Sequence, residues 1–350
     1  MTYGMRASSW RSGALRAVRS MAGRARTWLL GGLGVLAALV VLWFAGPRYP
    51  YGPDEPAPRA QPPAVAVAID AWLTAQEAAQ PGLRPGAAKG VVWAGEAGRR
   101  TPWAVVYLHG FTATRVETYP LAERVAQALG ANLFHTRLAG HGLPAEALAT
   151  VRPQDWLADA VEAVRIGHAI GERVLLIGTS TGATLAAWLA LRPDAAGVPI
   201  ERQVWISPNF GPADKRTELL HGPWGAQLAQ AITGGTVGAP SGDPRIDAGW
   251  TRVYPVQALL PMMALVERVR EADLSAVRTP VLVLYSPRDR TVDPRLTQAV
   301  FERLGSPVKR LEAVEDSTDR DQHVLAGELR SPGTTERLAE RIVRWAREGV

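Results

Sequence analysis

The 350-residue sequence contains no cysteine. This absence excludes a thiolate nucleophile, a cysteine-ligated zinc site, a thiolate-held iron–sulfur cluster and any disulfide. Hydrophobic residues make up 47% of the chain, too large a share for a disordered or collagen-like protein. Length and composition are instead those of a globular protein with a substantial core.

Acidic residues are missing from the first 27 positions, and this segment carries the whole charge excess. The formal net charge of the chain is +6. The arginines that supply it stand at positions 6, 11, 16, 19, 24 and 26. Because the remainder is neutral overall, the pI of about 9.9 does not indicate a nucleic-acid partner. We predict a basic cytoplasmic arm over residues 1–27.

Charged residues are also absent from residues 28–46, WLLGGLGVLAALVVLWFAG. As a helix this segment would measure roughly 28 Å, close to the hydrocarbon core of a bilayer. Trp28 and Trp43 stand near its ends, where interfacial aromatics belong. We predict a transmembrane anchor that tethers the protein to a membrane, with the arginine-rich side cytoplasmic and everything after Gly46 outside the cytoplasm. A cleaved signal peptide is the alternative, although Trp43 is bulky for its position before the WFA-G site.

Prolines are concentrated in residues 47–63, which predicts an extended, semi-rigid stalk. Residues 64–350 then alternate short apolar runs with helical patterns, as in a mostly parallel sheet flanked by helices. Predicted strands cover residues 90–94, 103–108, 131–135, 173–177, 203–207, 280–286 and 308–313. Predicted helices cover residues 64–80, 117–129, 153–170, 180–191, 294–304 and 334–347. The interval 209–275, with helical pieces at 215–232 and 256–270, is predicted to form a cap or lid over a site.

The motif Gly178-x-Ser180-x-Gly182 stands between the buried apolar run VLLIG and a helix. The two glycines permit a sharp turn from strand to helix. Such a nucleophile elbow presents the Ser180 hydroxyl at the carboxyl end of the sheet, beside a helix N-terminus that stabilises negative charge. The motif therefore predicts acyl transfer with Ser180 as the nucleophile.

Two further motifs, HGF at 109–111 after a strand and GHG at 140–142 in a later loop, accompany the elbow. Together with a trailing aspartate and histidine, they make residues 88–350 resemble the α/β-hydrolase fold family. The resemblance is strongest to its bacterial carboxylesterase and monoacylglycerol-lipase-like members. It implies the α/β-hydrolase fold with a helical cap, and a catalytic triad ordered serine, acid, histidine.

The resemblance assigns the remaining site residues by position. Asp289 has the family's spacing from the strand before it. Asp293 is the alternative acid, although Pro294 behind it is typical of a helix that Asp293 would cap. His323 follows both acids and stands where the family places its general base. The backbone N–H groups of Phe111 and Thr181 are implied to form the oxyanion hole.

These residues imply a serine hydrolase that cleaves carboxylic esters of small, hydrophobic or lipid-like substrates through an acyl-enzyme, without a cofactor or a metal. Peptidases, thioesterases and amidases of the family share the same triad and stay open as alternatives. A non-catalytic, membrane-tethered binding protein on a hydrolase scaffold is the contrasting hypothesis. The segment LLPMMAL at 259–265 either lines an acyl pocket or packs as a cap helix.

Overall fold

The computed structural model describes Arg26 and residues 28–348, and the chain forms two units, Met1–Arg48 and Tyr49–Val350. The described part of the first unit contains a helix over residues 28–44, which rises about 26 Å against the roughly 30 Å of a bilayer core. No helix among the described residues is both long and apolar enough to cross a membrane. The prediction of a transmembrane helix over 28–46 is therefore wrong, and a membrane tether through that helix is not supported. The basic arm predicted over 1–27 lies outside the described residues except for Arg26, and the extracytoplasmic location stays a prediction.

The second unit is built from strands and helices that alternate along the chain. Its strands are β1 (Gly90–Val92), β2 (Thr101–Leu108), β3 (Asn132–His135), β4 (Gly171–Thr179), β5 (Arg202–Ile206), β6 (Thr236–Gly238), β7 (Val253–Pro255), β8 (Val281–Tyr285) and β9 (Lys309–Ala313). Its helices are α1 (Ile69–Ala78), α2 (Leu121–Leu129), α3 (Pro153–Ile170), α4 (Thr181–Leu191), α5 (Gly225–Thr233), α6 (Pro244–Gly249), α7 (Leu259–Glu271), α8 (Pro294–Arg303) and α9 (Pro332–Glu348).

A seven-stranded sheet in the order β1-β3-β2-β4-β5-β8-β9 forms the centre of this unit. Only the pair β1–β3 is antiparallel within it; the other neighbours run parallel. In β2 the residues from Trp103 to Leu108 are all buried, as expected of a strand covered on both faces. The predicted mostly parallel sheet is confirmed, and the carboxyl ends of β2, β4, β8 and β9 all meet at one edge.

Two predicted helices are interrupted, and a proline lies at each interruption. The helix predicted over 117–129 is a 3₁₀ turn over Arg115–Thr118 followed by α2, which begins after Pro120. The helix predicted over 215–232 is likewise a 3₁₀ turn over Lys215–His221 followed by α5, with Pro223 between them. Proline lacks an N–H and disfavours helical geometry in the residue before it, so neither helix runs through.

The proline-rich segment predicted as a stalk packs on the second unit from Tyr51 onward. The Gln154 amide donates to the carbonyl oxygens of Tyr51 and Pro53, at 2.8 and 2.7 Å. Asp54 accepts hydrogen bonds from the Trp188 indole at 2.9 Å on α4 and from Arg268 at 3.1 Å on α7. The segment thus connects the nucleophile helix α4 to the cap helix α7.

The insertion between β5 and β8 carries α5, α6 and α7 together with a small two-stranded antiparallel sheet, β6–β7. These two strands have three residues each and lie in a stretch rich in glycine and proline, so their pattern was too short to be predicted. The first turns of α7 face the carboxyl edge of the sheet, where Met262 and Met263 line a cavity that also contains Ser180.

Candidate active site

Ser180 lies at the sharp turn between β4 and α4. Its backbone has φ 53° and ψ −118°, a left-handed geometry that a residue with a side chain rarely adopts. The turn is held by the Ser180 N–H, which donates to the Ile206 carbonyl at 2.8 Å. This strained geometry presents the hydroxyl at the end of the sheet rather than inside it, as the elbow motif predicts.

The glycines on either side of Ser180 are required by close backbone approach. A Cβ atom on Gly178 would lie 2.5 Å from the Gly182 carbonyl oxygen. A Cβ atom on Gly182 would lie 2.1 Å from the Leu108 carbonyl oxygen. Both distances are far inside van der Waals contact, so β4 can turn into α4, and this turn can pack against the end of β2, only if both positions lack a side chain.

Asp289 and His323 form a hydrogen-bonded pair at the ends of β8 and β9. His323 Nδ1 lies 2.7 Å from Asp289 Oδ2. The other carboxylate oxygen, Oδ1, accepts the N–H groups of Thr291 at 2.8 Å and Val292 at 3.0 Å. These two donors fix the plane of the carboxylate, so Oδ2 stays directed at the imidazole of His323.

The electrostatic surroundings of His323 favour its protonated form. Burial opposes the charge, but the negative charge of Asp289 and the hydrogen bond to it outweigh burial. Glu117 and Asp319 act in the same direction, so the pKa of His323 is raised above its ordinary value. An imidazole in this setting accepts a proton and is stabilised once it carries one.

Asp293, the alternative acid, lies in a different environment. Its carboxylate accepts the Arg295 N–H at 3.0 Å as the N-cap of α8. It also pairs with Lys215 at 2.9 Å and with Arg295 at 3.0 Å. Its ion pairs hold the pKa of Asp293 well below the ordinary range, and the structure does not bring it to His323.

Ser180 and His323 line the same cavity, of about 400 Å³. Within the described part of the chain no hydrogen bond joins the Ser180 hydroxyl to the imidazole. Catalytic hydrogen bonds are often long in the absence of substrate and tighten in the substrate complex. The structure thus brings Asp289 to His323, and His323 to the cavity of Ser180.

Phe111 follows β2 and lines this cavity, and Thr181 is the first residue of α4, directly after Ser180. The loop that carries Phe111 is held by His141, whose Nε2 accepts the Thr112 N–H at 2.9 Å while Nδ1 donates to the Ala139 carbonyl at 3.0 Å. Burial lowers the pKa of His141 to about 4, so the imidazole is neutral and can accept. His109 is held in a similar way, since its Nε2 accepts the Leu138 N–H at 3.1 Å.

Sequence reasoning missed Glu117, which lines the cavity beside Ser180. Its side chain is almost completely buried, and its Oε2 accepts the Gly110 N–H at 2.8 Å. Burial raises the pKa of Glu117 to about 7, against the opposing effects of the Gly110 N–H and the charge of His323. The prediction of a helix beginning at position 117 hid this residue, and Pro120 was the only sequence signal against that helix.

The cap contributes apolar side chains to the cavity. Leu259, Met262 and Met263 of α7 line it together with Trp250 and Tyr254. Met262 and Met263 are also buried in the main hydrophobic core. The segment LLPMMAL therefore packs on the hydrophobic core of the domain and also lines the cavity that contains Ser180.

Comparison with known proteins finds lipases and esterases that are similar to this chain. The sequence profile of the alpha/beta hydrolase family matches residues 105–328. A thermostable monoacylglycerol lipase of Bacillus sp. (strain H-257) is 28% identical over 255 residues, covering 70% of this chain and 92% of that protein.

Solved structures agree in fold. A chain from work on LipS and LipT, two metagenome-derived lipolytic enzymes, matches with a TM-score of 0.60 and 23% identity, over 76% of this chain and 99% of its own. A soluble variant of the Saccharomyces cerevisiae monoglyceride lipase matches with a TM-score of 0.54 and 15% identity, over 76% of this chain and 92% of its own. The chain is an enzyme that belongs to the alpha/beta hydrolase family and resembles the family's lipase and esterase members.

Proposed function

We propose that this enzyme hydrolyses carboxylic esters through an acyl-enzyme on Ser180, with His323 as the general base and Asp289 as its partner. The observation that carries the proposal is the 2.7 Å contact between Asp289 and His323 beside a serine on a strained elbow. A serine hydroxyl is a weak nucleophile unless a base removes its proton, and an imidazole held by a carboxylate is such a base.

In the first half of the reaction the Ser180 hydroxyl attacks the acyl carbon while His323 takes its proton. The imidazolium that forms is stabilised by the negative charge of Asp289. His323 then returns the proton to the leaving alkoxide, and the alcohol departs. In the second half His323 takes a proton from water, which attacks the acyl-enzyme, and Ser180 is released with the carboxylic acid.

The tetrahedral intermediate carries a negative oxygen that needs hydrogen-bond donors. The N–H groups of Phe111 and Thr181 are suited to this role because neither donates to a protein acceptor in the described residues. Thr181 also begins α4, whose N-terminus favours negative charge. Such donors are commonly worth about 100- to 1000-fold in rate each.

The substrate class is proposed from the cavity. Leu259, Met262, Met263 and Tyr254 supply apolar surface on the cap side, which suits a hydrophobic acyl or alkyl group. Flexible methionines adapt to chains of different shape. The name of the Bacillus relative, a monoacylglycerol lipase, supports the same choice.

The proposal is tested by hydrolysis of p-nitrophenyl esters of increasing acyl length by the full chain, with thioesters and peptides alongside. We expect ester turnover that Ser180→Ala abolishes and that Ser275→Ala, a change of an exposed serine, leaves intact. A fluorophosphonate probe should attach to Ser180, as located by mass spectrometry. Retained turnover in Ser180→Ala, or an adduct on another residue only, would contradict the assignment of Ser180 as the nucleophile.

A further inference from the structure

Glu117 is a buried acid that the proposed mechanism does not use. It lies on the 3₁₀ turn Arg115–Thr118, which directly follows the loop carrying Phe111. Only 3% of the residue is exposed. A carboxyl group buried to this degree is costly unless its oxygens have partners, so its partners indicate why it is tolerated there.

One oxygen of the carboxyl group binds the oxyanion loop. Oε2 accepts the Gly110 N–H at 2.8 Å and the Tyr107 hydroxyl at 3.2 Å. Gly110 is joined directly to Phe111, so this contact fixes the peptide next to the proposed oxyanion donor. Tyr107 is itself completely buried in β2 and bonds Thr179 at 3.2 Å, just before the nucleophile.

The other oxygen lies near the residue that carries the nucleophile. A Cβ atom placed on Gly110 would lie 2.6 Å from Glu117 Oε1 and 3.1 Å from the Ser180 Cβ. Oε1 and the Ser180 Cβ therefore lie within about 6 Å of each other, next to Gly110. Any larger residue at position 110 would separate them, and the cavity that contains Ser180 is lined by Glu117 as well.

We propose that Glu117 is a positioning residue for the proposed ester hydrolysis: it holds the oxyanion loop through the Gly110 N–H, and its charge stabilises the imidazolium of His323. The inference rests on the proposed function, because it assigns His323 as the base. Glu117 acts through Gly110 and His323 and needs no contact with the substrate.

The charged groups around Glu117 determine whether it raises or lowers the pKa of His323. Tyr107 donates to Glu117 from β2 at 3.2 Å, and His323, in the loop after β9, lines the same cavity as Glu117. Asp289 and Asp319 adjoin His323 on its other sides, and Asp319 is paired with Arg330 at 2.9 Å. Helix α6 presents the backbone of Gly249 to this turn. A negative charge on Glu117 therefore raises the pKa of His323, and a positive charge on His323 lowers the pKa of Glu117.

Because Glu117 and His323 interact, they titrate together, and the acid limb of kcat/KM against pH reports both groups rather than His323 alone. As pH rises through about 7, Glu117 ionises, and its negative charge raises the pKa of His323. The rising limb of kcat/KM against pH should then extend over two steps in the unmodified chain. Removing the charge should leave a single step at lower pH.

The test compares three variants of the full chain by kcat/KM for a p-nitrophenyl ester from pH 5 to 9. Glu117→Gln keeps an oxygen for Gly110 and Tyr107 but has no charge. We expect its acid limb to move down by roughly half a pH unit or more, with plateau activity within about threefold of the unmodified chain. Glu117→Ala removes the acceptor for Gly110 and should lose about tenfold or more of kcat. Glu340→Gln, the matched control, removes one exposed carboxylate of α9 and should leave the profile unchanged.

Superimposable profiles for the unmodified chain and Glu117→Gln would overturn the charge effect, and full kcat in Glu117→Ala would overturn the loop effect. If circular dichroism shows that the variants are unfolded, the pH dependence of fluorophosphonate labelling in the unmodified chain decides instead. A limb of two steps then supports the coupling, and a single step contradicts it. Failure of the proposed function is distinct, because the probe would then not label Ser180 in the unmodified chain.

Discussion

Replacing Asp289 by asparagine tests the proposed triad most directly, because the structure determines how the new side chain would be oriented. The Thr291 and Val292 N–H groups donate to Oδ1 at 2.8 and 3.0 Å. An asparagine at this position keeps its oxygen on those two donors. Its NH₂ group is then turned toward His323 Nδ1, which lies 2.7 Å from Oδ2 in the unmodified chain.

An NH₂ group facing Nδ1 reverses the tautomer of the imidazole. Nδ1 must become the acceptor, so the ring proton moves to Nε2, and the nitrogen that should take the Ser180 proton is already occupied. The loss expected from a wrong tautomer is about 10⁴-fold in kcat, or about 5.5 kcal/mol of transition-state stabilisation. Substrate binding is largely unaffected, so KM should change little.

The assay is ester hydrolysis at saturating substrate, with circular dichroism to show that the fold persists. Asp293→Asn is the matched control, since Asp293 caps α8 and pairs with Lys215 rather than with His323. Asparagine is nearly as good an N-cap, and ion pairs with exposed partners contribute little, so its kcat should remain within about twofold. More than a tenth of the original kcat in a folded Asp289→Asn variant, or an equal loss in Asp293→Asn, would refute the reasoning.

Two further predictions concern stability. Asp54→Ala removes the acceptor shared by Trp188 and Arg268, and we expect it to lower the free energy of unfolding by about 1–3 kcal/mol in urea melts. Faster protease cleavage near Tyr51 should accompany the loss, and unchanged cleavage would count against the packing role of this segment. His141 is buried and neutral, with its pKa lowered from 6.5 to about 4, so its contribution is complete above pH 6.5 and is lost as pH falls toward 4. The melting temperature of the unmodified chain should therefore fall over that range, and His141→Asn should show a shallower fall; parallel curves would contradict this.

The parts of the fold that sequence predicted well are those in which one pattern has one physical meaning. A short, fully apolar run such as AVVYL is typical of a strand that is buried on both faces of a sheet, and β2 lies where it was expected. The spacing of Gly178, Ser180 and Gly182 likewise has a single steric reason, because a Cβ at either glycine would meet backbone. By contrast, residues 28–46 are apolar throughout, and apolarity alone predicted a membrane span that the described helix is too short to make.

Glu117 shows why a site residue can escape sequence reasoning through an error in local structure. A helix predicted from position 117 made the glutamate a first-turn acid, which favours the helix dipole and belongs at the surface. Pro120 stops that helix, so Glu117 instead lies on a 3₁₀ turn and points inward to the Gly110 N–H. The shorter of its two hydrogen bonds comes from a backbone N–H, and a backbone donor cannot be recognised from the residue types in the sequence. The boundary error and the missed residue therefore have one cause, and a proline three residues after a glutamate was the only sequence signal that could have corrected both.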